Sequence, residues 1–321
     1  MRRRRCYRDS MIEMTRTAHR DVSVPLDAPA WLASTPLNDP VSAAVAAGAA
    51  LATLHPLGIE RAIGVPHVLW RDRLALIAAE AAAIRVASRA RAPDMRDQTY
   101  LLAPGQRPGP AGAALALQRS AASLPIGKQD GLSGHAALAG DLAIRCPCDC
   151  TKLASTDPVA AAAAVLESSL AEASRSERAA AVMLADATLA AALRWPYAPP
   201  LLGVGLRRED LALKGVALRL ACAAALARVA HKAITLGNDL SRRAAGLRCA
   251  AAIVRAKAAN DAVRLFLSQD AAAPQRDLSP IVRGGTARMS ERSARRLCER
   301  LAALGGLREL TGRKTHRLYG L

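Results

Sequence analysis

The stretch Met289-Ser-Glu-Arg-Ser-Ala-Arg-Arg-Leu-Cys-Glu-Arg-Leu-Ala-Ala-Leu-Gly-Gly-Leu-Arg-Glu-Leu-Thr-Gly-Arg-Lys-Thr-His-Arg-Leu-Tyr319 reads as a capped basic helix followed by a hairpin with a charged tip. Ser290 can accept from the amides of a first turn and Gly305-Gly306 supplies a left-handed stop, which predicts a helix from about Glu291 to Leu304. Ala294, Leu297, Cys298, Leu301 and Leu304 recur at i, i+3, i+4 and i+7 and make one apolar face. The other side carries Arg292, Arg295, Arg296 and Glu299, with Ser293 and Arg300 on its flanks. Beyond Gly306, Leu307 to Thr311 and Thr315 to Tyr319 can pair as strands around Gly312-Arg313-Lys314. Leu307 and Leu310 are three apart, so either a bulge is needed or this pairing is wrong.

This is the order of parts in the DNA-reading half of a winged helix. A helix that buries one face and shows short polar and arginine side chains near its N-terminus is the shape that enters a major groove, and its positive end suits phosphate. On this reading Arg292, Ser293 and Arg296 approach base edges, while Arg295, Arg300, Arg313, Lys314 and Arg317 hold phosphates. The plainer account is a terminal helix and hairpin that dock on the body while their arginines meet only water.

Charge distribution favours the first account. The net formal charge is +18; residues 283 to 321 contribute +7 of it and residues 1 to 20 contribute +5. Charge concentrated at the ends fits a polyanionic partner better than a uniformly basic surface does. A coding bias toward G and C accounts for 39 Arg against 6 Lys, but it accounts less well for the clustering.

At 321 residues the chain is long enough for one large or two ordinary domains. Half of it is apolar, yet only eight residues are aromatic, and a core of Ala, Leu and Val favours close helix packing over sheets. The expected class is all-α: a multi-helix body with a small C-terminal winged-helix-like module holding one β-hairpin. Scarce rings also argue against a grip on single strands, which relies on stacking, and so favour duplex DNA.

The expected organisation is a poorly ordered lead over 1–40, an alanine-rich helical body over 41–270, and a linker with the winged-helix-like module over 271–321. Helices are predicted at 41–54, 67–90, 94–102, 110–122, 134–144, 158–173, 177–194, 209–232, 234–257 and 259–269. Asp157-Pro158 supplies an N-cap with proline at the first helical position, Ser176-Glu177 caps the next helix, and Pro110 opens another. Glu209-Asp210 suits a helix start. Trp195-Pro196-Tyr197-Ala198-Pro199-Pro200 breaks the chain firmly. Val41 to Ile59 is apolar by count but mostly Ala and Gly, so it reads as a buried helix and no membrane association is expected.

Candidate chemistry is thin. Seven cysteines without a secretory signal suggest reduced thiols and a cytoplasmic protein. Cys146-Pro-Cys-Asp-Cys150, with Asp149 or His135, could fill a tetrahedral zinc shell. Structural zinc sites normally use two separated pairs, so an exposed cysteine loop is the simpler account, and neither metal nor cofactor is expected. Gly203-Val-Gly205 is too short for a dinucleotide loop, and no phosphate loop or nucleophile motif is present. Arg242, Arg243, Arg248, Arg255 and Lys257 form a second basic stripe, which is either a solvated face or a further contact with duplex.

From about Pro40 onward the chain resembles a bacterial family, domain-of-unknown-function family 1403. The likeness lies in Asp157 to Leu166, Trp195-Pro196, Leu240 to Arg248, Arg308 to Arg313 and Arg317 to Leu321. It implies a bacterial origin and a helical body, with no catalytic residue to carry over. The tail separately resembles the winged helix that closes many Fic-type AMP-transferases. Their His-Pro-Phe motif is absent, because His55-Pro56-Leu57-Gly58 matches only its first two residues, and that enzyme reading is rejected. The expected function is therefore duplex DNA binding by a transcriptional or plasmid-linked regulator, with a homodimer left open and no catalysis. The alternative is a helical protein-interaction scaffold.

Overall fold

The computed structural model describes residues 25–102, 105–127, 132–140, 157–254, 256, 258–278, 289–313 and 316–321. It is predominantly helical, with a two-stranded antiparallel hairpin at the C-terminus. The helices are α1 (Ala30–Ser34), α2 (Pro40–Gly58), α3 (His67–Arg85), α4 (Ala92–Tyr100), α5 (Pro110–Ser123), α6 (Ser133–Ala139), α7 (Pro158–Glu172), α8 (Arg178–Ala192), α9 (Leu201–Gly205), α10 (Gly215–Val254), α11 (Ala259–Ser268) and α12 (Glu291–Ala303). A 3-10 turn spans Glu209–Ala212, a π-helical turn spans Pro274–Leu278, and the strands are β1 (Arg308–Glu309) and β2 (Tyr319–Gly320).

Packing divides the described residues into two units, one within 27–61 and 71–235, the other within 1–26, 62–70 and 236–321. In the first unit α8 is the innermost helix: every residue from Ala180 to Ala190 is buried. A helix buried on all sides belongs inside a core, and its alanines let α7, α6 and α9 approach closely. Asp157 caps α7, its Oδ1 accepting from the amides of Val159 (2.9 Å) and Ala160 (3.0 Å), as the Asp-Pro pair predicts. Gln98 of α4 does the same for α5, accepting from Ala111 and Gly112 at 3.1 Å each.

The Trp195-Pro196-Tyr197 break is a packing hub. The Trp195 ring lies so close to Gly58 that a Cβ built there would sit 2.3 Å from it. The indole Nε1 donates to His55 Nδ1 at 3.1 Å. The amide of Ile126 donates to the Pro196 carbonyl at 2.9 Å. The Arg71 guanidinium stacks 3.8 Å from the Tyr197 ring centroid while pairing with Glu60. His55-Pro56 stands in the last turns of α2, where proline's missing N–H leaves one i→i−4 hydrogen bond of the helix unmade.

In the second unit, the π-helical turn packs against α12 and α11, and Leu240, Leu247, Phe266, Leu297, Leu301, Leu318 and Tyr319 are buried. Gly306 closes onto α10, where a Cβ would meet that of Ala250 at 2.8 Å. Leu26 is tied to Asn238 of the same unit by two hydrogen bonds, its amide donating (3.1 Å) and its carbonyl accepting (2.7 Å).

Some boundaries differ from the sequence-based ones. The predicted helices 209–232 and 234–257 are replaced by the 3-10 turn and one 40-residue helix, α10. Asp210 spends its carboxylate on the amide of Arg207 (2.7 Å) and so holds a turn, not a helix start. Burial of Ala233, Ile234, Gly237 and Leu240 carries α10 through a region of weak helix propensity. Ala87, at φ 61°, ends α3 before the predicted residue 90. Ser176 does not cap α8; its Oγ lies 3.0 Å from that of Ser174. Of the described helices, α2 and α10 are long and apolar enough to cross a bilayer by length and composition. The apolar window of α10 is 67% buried inside the protein and that of α2 44%, so core packing accounts more fully for the hydropathy of α10.

Candidate nucleic-acid interface

Helix α12 forms as its pattern predicts. Ser290 Oγ accepts from the amide of Ser293 (3.2 Å), and Gly305 provides the left-handed stop at φ 76°. Ala294, Leu297, Cys298 and Leu301 are buried; Leu304 is 44% exposed, because the chain turns away at the C-cap. Arg292, Ser293, Arg295, Arg296 and Arg300 are all exposed. Among the described residues, no ion pair engages Arg292, Arg295, Arg296 or Arg300. Ser293 is less free than its exposure suggests, since its hydroxyl lies 2.9 Å from Ser290 Oγ within the cap.

The hairpin is shorter than expected and displaced toward the C-terminus. Arg308 pairs with Gly320 and Glu309 with Tyr319, in place of strands over 307–311 and 315–319. The Leu310 amide still donates to the Leu318 carbonyl at 2.8 Å, so both leucines join the ladder. On the other edge of β2, Ala272 and Tyr319 exchange backbone hydrogen bonds of 2.8 and 3.0 Å, which places β2 between two partners. Glu309 shapes the tip by accepting from the amides of Thr311 (2.8 Å) and Gly312 (2.9 Å) and from the Thr311 hydroxyl. Burial raises its pKa, but those hydrogen bonds and Arg317 outweigh burial and leave it below the usual carboxylate value.

Arg313 is exposed at the tip, and its carbonyl accepts from Arg317 Nε at 3.1 Å. Lys314 lies outside the described residues, as do Arg255, Lys257 and the Cys146 to Cys150 knot. His135, weighed above as a zinc ligand, is buried with Nε2 3.1 Å from the Ala121 carbonyl.

Arg317 is partly exposed but tethered to its neighbours. Its Nη1 lies 3.6 Å from Glu299 of α12, and hydrogen bonding to the Tyr319 phenol helps to raise its pKa. Burial pushes the Tyr319 phenol up while Arg317 pulls it the other way. Arg295, Glu299, His316, Arg317 and Tyr319 converge with Pro274 and Gln275 on a cleft of about 290 Å³ between α12 and the hairpin. Sequence reading did not find Glu299, His316 and Gln275 as cleft residues, because no local signal brings the helix to the hairpin. The second basic stripe is partly neutralised: Arg242 and Arg243 lie 2.5 and 2.6 Å from the two oxygens of Asp239, whereas Arg248 is exposed.

The family model described as "Protein of unknown function (DUF1403)" matches residues 16–321. The chain belongs to that family. The match takes in both units of the DUF1403 chain, so the basic tail is part of the family's extent and not an appendage to it. No curated protein and no solved structure matches the chain.

Proposed function

We propose that the C-terminal module of this DUF1403 protein is winged-helix-like and binds duplex DNA, as part of a cytoplasmic transcriptional or plasmid-linked regulator. One observation carries the reading: α12 seats Ala294, Leu297, Cys298 and Leu301 in the core and turns Arg292, Arg295, Arg296 and Arg300, without ion-pair partners among the described residues, to solvent. On α10, by contrast, Asp239 lies beside Arg242 and Arg243. The pairing of β2 with both β1 and Ala272 supports a small sheet behind the helix, which is the layout such a module needs. In this arrangement Arg292, Ser293 and Arg296 face base edges, and Arg295, Arg300, Arg313, Lys314 and Arg317 serve phosphates.

The test is fluorescence anisotropy of the whole chain on a random-sequence duplex across a salt series. With roughly four to six phosphates neutralised, log affinity falls against log salt with a slope of about −4 to −5. Arg313→Ala weakens all sequences alike, whereas Arg296→Ala also erodes preference between sequences. Affinity indifferent to salt, or no retention on DNA beside capture of a single protein partner, rejects the reading in favour of the scaffold.

A further inference from the structure

We propose that the first unit carries a second anion site, a cleft formed by Arg85, Arg175, Arg178 and Arg208 at the N-terminus of α8, which takes the phosphate group of a small phosphorylated molecule. The cleft is lined by these four arginines with Ala82, Val86, Ser176, Ala179 and Leu211, and no carboxylate lines it. Its void is about 30 Å³, so it admits an oxyanion head and leaves the rest of the ligand in solvent.

Three independent features point to the same ligand chemistry. The first is Arg85, which is 8% exposed: its Nη1 donates to the carbonyls of Gly203 (2.9 Å) and Leu206 (3.0 Å), while its buried Nη2 has no partner. A buried guanidinium nitrogen left unpaired is costly, and a bound oxyanion would satisfy it. The second is the start of α8, where no side chain caps the first-turn amides and no acidic residue occupies the first turn. Ser176 and Glu177, which look like a cap in sequence, are turned elsewhere, Glu177 Oε2 accepting from the amide of Ser174 at 2.8 Å. Uncapped amides at the end of a 15-residue helix favour an anion. The third is the rim: Arg175, Arg178 and Arg208 are exposed, and among the described residues Arg178 and Arg208 have no ion-pair partner, while Arg175 reaches only the Val86 carbonyl (2.9 Å).

Competing negative charge is already committed. Asp186, the acidic group coupled to Arg85, spends both oxygens on the amides of Leu202 and Gly203. Four arginines and a helix N-terminus therefore face one small cleft without a carboxylate among its walls, an arrangement that selects a multiply charged oxyanion over chloride because several N–H groups can be satisfied at once.

The experiment follows the thermal unfolding midpoint of the whole chain against inorganic phosphate, adenosine monophosphate and sodium chloride at matched ionic strength, for the wild type and an Arg178→Ala/Arg208→Ala double variant. Both substituted side chains are exposed, so the variant should unfold at the wild-type midpoint without ligand, which circular dichroism checks. Phosphate and the monophosphate should raise the wild-type midpoint saturably while chloride does not. The double variant should bind at least about tenfold more weakly, the loss expected when charge-assisted hydrogen bonds are removed. Equal shifts with chloride, or undiminished phosphate affinity in the double variant, overturn the proposal. Duplex binding measured in parallel separates this site from the tail. If the double variant loses duplex binding, the phosphates taken here are those of DNA and the small-molecule assignment fails; if Arg296→Ala alone loses it, the two sites stand apart.

Discussion

Asp186 and Arg85 hold the short helix α9 from opposite ends. Asp186 accepts from the amides of Leu202 (2.7 Å) and Gly203 (2.9 Å) at the helix start, and Arg85 donates to the carbonyls of Gly203 and Leu206 toward its close. Each end of a five-residue helix would otherwise leave unpaired backbone groups in the core. Asp186→Ala should therefore cost about 2 to 5 kcal/mol, read from the urea midpoint.

The same pair predicts a pH dependence. Burial pushes the Asp186 carboxyl up to about 7, against the pull of the Leu202 and Gly203 amides and of Arg85. With its folded value above the unfolded one, the group's contribution is fully present below the ordinary carboxylate value and is lost as pH rises through about 7. Urea stability of the wild type measured relative to Asp186→Asn should fall between about pH 4 and 7 and then level off. A difference that grows with pH would show that the carboxyl is ionised throughout.

Two glycines in α2 should respond in opposite directions to alanine. At Gly58 the added methyl strikes the buried Trp195 ring, so Gly58→Ala should cost about 1 to 3 kcal/mol and shift indole fluorescence. At Gly48 a Cβ meets nothing within 4 Å, so Gly48→Ala should gain about 1 kcal/mol from helix propensity alone. Calorimetric unfolding of both variants checks the pair.

Glu299→Gln releases Arg317 from its ion pair and removes a negative charge from the proposed DNA face. Duplex affinity should rise about two- to fivefold, the scale of an exposed pair, with a steeper salt dependence. Unchanged affinity would place Arg317 away from any phosphate.

Cys222 and Cys298 are buried, and burial pushes both thiols up to about 12. Iodoacetamide at mildly alkaline pH, followed by peptide mass spectrometry, should leave both unmodified in the native chain while the half-buried Cys249 reacts.

Much of the candidate site is legible because its signals are local. The serine cap, the stop at Gly305 and the buried stripe of α12 each depend on residues within a few positions of one another. The hairpin is legible in outline but not in register, and no local signal announces that its second strand also pairs with Ala272. Ser176 and Asp210 show the converse: each carries the composition of a helix start, and each was claimed by a neighbouring turn.

The amino-acid order alone determined the helical class, through its alanine and leucine content and its shortage of rings. It likewise set the caps of α7 and α12 and the arginine-rich outer face of the terminal helix. Tertiary structure alone decided that α10 runs unbroken, that Arg85 and Asp186 meet across α9, and that Glu299 restrains Arg317. The physical reason is reach: periodicity and capping act over one or two turns, whereas these contacts join residues far apart in the chain and arise only when buried surface holds their elements together.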